Sequence, residues 1–104
     1  MNEGQFKVID DYLCIRMPKE IDHHNAEILS KTVDAFIYEK KVNNIVFDFI
    51  DTEFMDSSGI GIIGGRYKKI QYLGGKVYVL NAGKQVNRIL LLSGIQKFVV
   101  FMKD

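Results

Sequence analysis

Residues 44–50, Asn44-Ile45-Val46-Phe47-Asp48-Phe49-Ile50, carry five apolar side chains in seven positions without strict alternation. A strand so apolar belongs in the centre of a sheet, flanked on both sides. The segments around it have a different period. From about His24 to Glu39, Ala26, Leu29, Val33, Phe36 and Ile37 recur at helical spacing, while Glu27, Lys31 and Asp34 face elsewhere. Ile60, Ile63, Tyr67 and Ile70 form a second stripe, in a helix that starts near Ser57 or Ser58 and ends near Tyr72, with Gly74-Gly75 as its stop. A third helix is expected over residues 85–93, with Val86, Ile89 and Leu90 inward and Gly94 closing it.

The remaining segments read as strands. Phe6–Ile9 and Tyr12–Met17 flank Asp10-Asp11 and suggest a hairpin, which Pro18 ends. Lys76–Leu80 and Phe98–Phe101 follow the second and third helices. The predicted order is β-β-α-β-α-β-α-β, an α/β domain with a mixed sheet, largely parallel after an N-terminal hairpin. With 104 residues the chain is expected to be one domain, 1–104.

No apolar run approaches the roughly 20 residues of a membrane span. The start, "MNEGQFKVID", lacks a signal-peptide profile, and Cys14 is the lone cysteine, so a cytoplasmic protein without disulfide or cysteine-based metal site is expected. Charge is unevenly spread. Residues 1–56 hold six Lys/Arg against twelve Asp/Glu, whereas residues 57–104 hold eight against Asp104 alone. Lys68, Lys69, Lys76, Lys84, Arg88, Lys97 and Lys103 are scattered over several elements with no nucleic-acid motif, which marks them as solvated side chains.

The stretch "FMDSSGIGIIGGR", residues 54–66, concentrates the candidate chemistry. Gly59-x-Gly61-x-x-Gly64 matches the letters of a dinucleotide-binding fingerprint. That fingerprint needs its glycines in a strand-to-helix turn and an acid about 20 residues on. Here Gly61 and Gly64 fall inside the expected helix, and residues 78–82 contain no acid. A P-loop fails because Val77 follows Gly75-Lys76, and Asp56-Ser57-Ser58-Gly59 is not the Gly-x-Ser-x-Gly of a serine hydrolase. His23 and His24 are adjacent, so they should point apart and make a poor zinc pair.

What remains is a serine at a helix N-terminus, where free backbone N–H groups and the helix dipole accept an anion. Ser57 or Ser58 could simply be an N-cap, yet a cap needs only one. Gly61 and Gly65 share a helix strip beside Gly64, although each interior glycine costs up to ~1 kcal/mol relative to alanine. Something is therefore expected to approach closely, either the sheet beneath or a partner above. The stretch reads as a docking face with a modifiable hydroxyl.

"FMDSSGIGIIGGRYKKI" is similar to the signature of the STAS domain family (sulphate transporter and anti-sigma factor antagonist), on its antagonist branch. "CIRMPKEIDHHNAE" resembles that branch's second strand and following loop, and "LSGIQKF" its third helix terminus and last strand. The likeness spans nearly the whole chain, and its specific parts are Asp56-Ser57-Ser58-Gly59 and Asp22-His23-His24. It implies a non-enzymatic anti-sigma factor antagonist of the STAS fold. Unphosphorylated, it would bind an anti-sigma factor that is also a serine kinase and so free a sigma factor.

By the same resemblance the kinase would use ATP to phosphorylate Ser57, and a metal-dependent serine phosphatase would reverse the step. Ser58 would be the neighbouring cap. Asp22, Asp56, Ser57, Ser58, Gly59 and Gly61 would contact the partner. The resemblance implies no cofactor, metal, nucleic acid or membrane partner, and a monomer when free. The alternative reading is a nucleotide-binding domain using Gly59, Gly61 and Gly64. The family pattern continues past the last strand into a C-terminal helix, whereas this sequence runs three residues beyond Phe101.

Overall fold

The computed structural model describes residues 4–102. Strands β1 (Gln5–Ile9) and β2 (Tyr12–Arg16) form the expected hairpin, with Ile9 opposite Tyr12 and a tight turn in which Asp10 takes φ 55°. Then follow β3 (Glu20–Ile21), α1 (His23–Lys40), β4 (Asn44–Asp48), β5 (Phe54–Met55), α2 (Ser58–Tyr72), β6 (Val77–Leu80), α3 (Lys84–Ser93), a 3₁₀ turn (Ile95–Lys97) and β7 (Val100–Met102). The main sheet has the order β1-β2-β4-β6-β7, and β4 occupies its middle as its apolar run requires. Among the described residues only the hairpin is antiparallel.

From β2 onward each new parallel strand is added on the same side of the last. Right-handed crossovers then place all three helices on one face. Leu13 and Ile15 of β2, Ile45 and Phe47 of β4, and Val77 and Val79 of β6 share that face through the strand register. They form one core with Leu29, Val33 and Ile37 of α1, Ile62, Ile63 and Ile70 of α2, and Val86 and Leu90 of α3. The alternate residues, among them Cys14, Val46, Tyr78 and Val100, lie on the opposite face, where Tyr12 and Tyr78 approach at 6.1 Å between ring centroids. Partial burial pushes the Cys14 thiol pKa up, so it stays protonated at neutral pH.

The expected stripe of α2 is rotated. Ile60 and Tyr67 are only partly buried, whereas Ile62 and Arg66 are buried. Asp34, expected to face away, turns in from α1 and meets Arg66 Nε at 2.9 Å and Lys69 Nζ at 3.3 Å. The α1–α2 seam therefore carries an ion pair where a purely apolar stripe was predicted. Arg66 Nη1 is buried there without a hydrogen-bond partner.

The last strand begins two residues later than predicted. Gly94 takes φ 79°, Ser93 Oγ accepts from the Ile95 N–H at 3.2 Å, and Phe98 N–H donates to the Ile95 carbonyl at 2.9 Å. Those bonds wind residues 95–97 into the 3₁₀ turn and leave Phe98 outside the sheet. Strands β3 and β5 were not anticipated, because two residues are too few to show a period of two.

Candidate functional site

The short strands build the site. β3 and β5 pair in parallel, Glu20 opposite Phe54 and Ile21 opposite Met55, in a two-stranded sheet apart from the main one. Asp56 N–H donates to the Ile21 carbonyl at 3.0 Å and Glu53 N–H to the Lys19 carbonyl at 2.7 Å. Thr52 Oγ1 donates to the Pro18 carbonyl at 2.8 Å, and Arg16 grips Asp51 through two bonds of 3.0 and 2.9 Å. The loop that follows β4 is thereby tied to the chain that follows β2.

Each short strand runs directly into an acid that heads a helix. Asp22 follows Ile21, and its Oδ1 accepts from the His24 N–H at 2.9 Å and the Asn25 N–H at 3.1 Å, while Asn25 Oδ1 accepts from the Asp22 N–H. This is a reciprocal capping box, which satisfies donors that would otherwise be open. Asp56 follows Met55, and its Oδ1 accepts from the Ser58 N–H at 2.8 Å, while its carbonyl accepts from the Gly59 N–H at 3.0 Å. Because the strands are paired, the two helix N-termini and their acids lie side by side.

Ser57 stands at the N-cap position of α2, as one of the two serines was expected to, but the side-chain capping bond comes from the residue before it. Asp56 does the capping; Ser58 is the first helical residue, half-buried, and receives the cap through its own N–H. A carboxylate is a stronger acceptor than a hydroxyl and is favoured at the positive end of a helix. Ser57 is left with φ −64° and ψ −14°, makes no side-chain capping bond, and is exposed. Its hydroxyl is presented to solvent at the head of a 15-residue helix.

The glycines separate into two kinds. Gly59 is buried under the fully buried Met55, whose side chain occupies the place a Cβ would take. Gly61, Gly64 and Gly65 have nothing within 4 Å of a notional Cβ. Of the two explanations for close approach, the sheet beneath is thus ruled out, and the space above these three is open. Gly59, Gly61 and Gly64 all lie within α2, so they do not form the strand-to-helix turn of a dinucleotide site.

His23 and His24 lie in the first turn of α1 with rings in edge-to-face contact, 5.2 Å between centroids, and so do not diverge as expected. Among the described residues no three His, Cys, Asp or Glu side chains gather as metal ligands, and no helix is long and apolar enough to cross a membrane.

Sequence reasoning missed one contributor. Gln85, at the start of α3, accepts from the Met55 N–H with Oε1 at 2.9 Å and donates from Nε2 to the Met55 carbonyl at 3.0 Å. No local pattern marks a glutamine for contact with a residue 30 positions away. Phe54 is exposed beside this junction, and Lys84, Arg88 and Leu91 are exposed on α3.

A family model described as the STAS domain matches residues 4–104. The anti-sigma F factor antagonist of Paenibacillus polymyxa is 37% identical over 87 residues, 84% of this chain and 74% of that protein. The solved structure of the anti-sigma factor antagonist SpoIIAA in its unphosphorylated form superposes with a TM-score of 0.88 at 27% identity, covering 97% of this chain and 87% of that one. The Bacillus cell fate determinant SpoIIAA in its phosphorylated form gives a TM-score of 0.79 at 26% identity, covering 97% and 90%.

Proposed function

The chain belongs to the STAS domain family, and on that premise we propose that it is an anti-sigma factor antagonist switched by phosphorylation of Ser57. It is a regulatory binding protein: its output is occupancy of a partner, not turnover of a substrate. In the unphosphorylated state it binds an anti-sigma factor and so releases a sigma factor. That anti-sigma factor is also a serine kinase. It transfers the γ-phosphoryl of ATP to Ser57 Oγ, the hydroxyl proton leaves, and ADP remains. A metal-dependent serine phosphatase hydrolyses the phosphoserine and restores binding.

The observation that carries this reading is the exposed Ser57 hydroxyl, relieved of capping by Asp56. A cap serine would have its oxygen engaged by the helix, and phosphorylation would cost the fold a bond. Here the modification adds about −1.5 to −2 charge at a helix N-terminus, where an anion is tolerated. The Asp56 carboxylate holds the Ser58 N–H, so it repels the phosphate toward solvent and toward whatever docks there. A like charge on the partner at ~5 Å, with an effective dielectric near 20, costs roughly 3 kcal/mol per unit charge.

Around Ser57 the proposed docking face includes Asp22 and Asp56, Ser58 and Gly59, and continues over Gly61, where a partner meets bare helix backbone. Asp22 belongs to it because the β3–β5 pairing sets the α1 terminus beside the α2 terminus. Incubation with the anti-sigma F factor of the source cell and ATP, followed by peptide mass spectrometry, should find one phosphate, on Ser57. Phosphate on Ser58 alone, or none, would remove the assignment.

A further inference from the structure

We propose that Gln85 is a positioning residue for Ser57: its side-chain amide completes the outer edge of β5 and fixes the segment that presents the hydroxyl. This rests on Ser57 being the phosphorylated serine.

β5 is two residues long, and among the described residues it has a strand partner on one edge only, β3. In a parallel ladder successive residues point their N–H and C=O groups to opposite edges. Asp56 N–H and Phe54 N–H both turn toward the β3 side, to the Ile21 and Lys19 carbonyls. The Met55 groups between them therefore point away from β3. There they meet a primary amide that accepts at 2.9 Å and donates at 3.0 Å. Gln85 makes with one side chain the pair of bonds that a third strand would make with its backbone.

The consequences are local. Met55 has 0% exposure, and its side chain lies against Gly59 in the first turn of α2. The next residue, Asp56, caps α2, and the one after is Ser57. Holding Met55 from both edges fixes the direction in which the chain enters the helix. Gln85 itself belongs to α3, which packs against β5, so the placement of Ser57 is set by a different element of the fold.

Two variants and two readouts test this. Gln85→Ala removes both bonds. Gln85→Glu keeps the shape and the acceptor but, when ionised, offers no donor to the Met55 carbonyl. Hydrogen-exchange protection of the Met55 amide should fall roughly tenfold in Gln85→Ala, while amides of β4 keep theirs. In Gln85→Glu the ionised carboxylate still accepts from the Met55 N–H but repels the Met55 carbonyl. Met55 protection should therefore lie below the parent's at neutral pH and rise as the pH falls through the carboxyl range, near ~4.3 for an unperturbed group, where the neutral acid can donate to that carbonyl. With the anti-sigma F factor and ATP, kcat/KM for Ser57 phosphorylation should fall about tenfold in Gln85→Ala.

Unchanged Met55 protection in Gln85→Ala would overturn the inference. So would an equal loss of protection at β4, which would make Gln85 a general stabiliser, or unaltered phosphorylation kinetics despite a loosened Met55. If the wild-type chain were not phosphorylated at all, the functional reading would fail, while Met55 protection would still decide whether Gln85 sets the segment.

Discussion

Ser57→Asp is expected to fold like the parent chain and to bind the anti-sigma factor at least a hundredfold more weakly. The two halves of this outcome have separate causes. Stability is preserved because Ser57 makes no capping bond to lose, and an acid at a helix N-terminus interacts favourably with the dipole, by about 0.3–1 kcal/mol. Affinity falls because the new carboxylate lies at the centre of the proposed docking face. One like charge at ~5 Å across a partly desolvated contact costs roughly 3 kcal/mol, a little over two decades in Kd. Ser57→Ala is the control: it should bind but accept no phosphate. Urea unfolding and titration with the cognate anti-sigma factor read both halves. Undiminished binding by Ser57→Asp would defeat the charge argument.

Gly75→Ala should destabilise the fold by ~3 kcal/mol or more, a loss visible as a lowered urea midpoint. A Cβ at Gly75 would overlap the Asn43 carbonyl group and sit 3.0 Å from Ile70 Cγ2. The obstacle is backbone, and that backbone is fixed on both sides. Gly75 N–H donates to the Ile70 carbonyl at 2.9 Å, Lys76 N–H to Asn44 Oδ1 at 2.9 Å, and Ile45 N–H to the Lys76 carbonyl at 3.1 Å. Relief would mean separating β4 from β6 where they begin to pair. Gly61→Ala makes the contrast, since nothing lies within 4 Å of its Cβ. In a helix interior it should raise stability by up to ~1 kcal/mol. If Gly61 is under a docked partner, the same methyl group should weaken binding.

The large elements were legible because each carries its own period or stop. The apolar run at residues 45–47 and 49–50 placed β4 in the centre, Asp10-Asp11 marked the hairpin turn, and Gly94 ended α3 in the left-handed region. What escaped were features set by distant residues. β3 and β5 are recognised through their pairing with each other, and Asp34 turns inward to meet Arg66 across α1 and α2. Ser57 was located correctly at the head of α2, but its chemical state depends on a bond made by the residue before it. A serine beside a helix reads as a cap until the competing carboxylate is seen to hold the N–H. The glycines carried an ambiguity that only space could resolve: Gly59 is packed against Met55, while Gly61, Gly64 and Gly65 face outward into room for another surface.

The central claim is that a single phosphate on Ser57 controls partner binding without altering the fold. Calorimetric titration of the cognate anti-sigma factor with the unphosphorylated chain, and with the chain phosphorylated at Ser57, measures it directly. The expected result is tight binding by the first and at least a hundredfold weaker binding by the second, with the same urea midpoint for both. Equal affinities for the two forms would contradict the account.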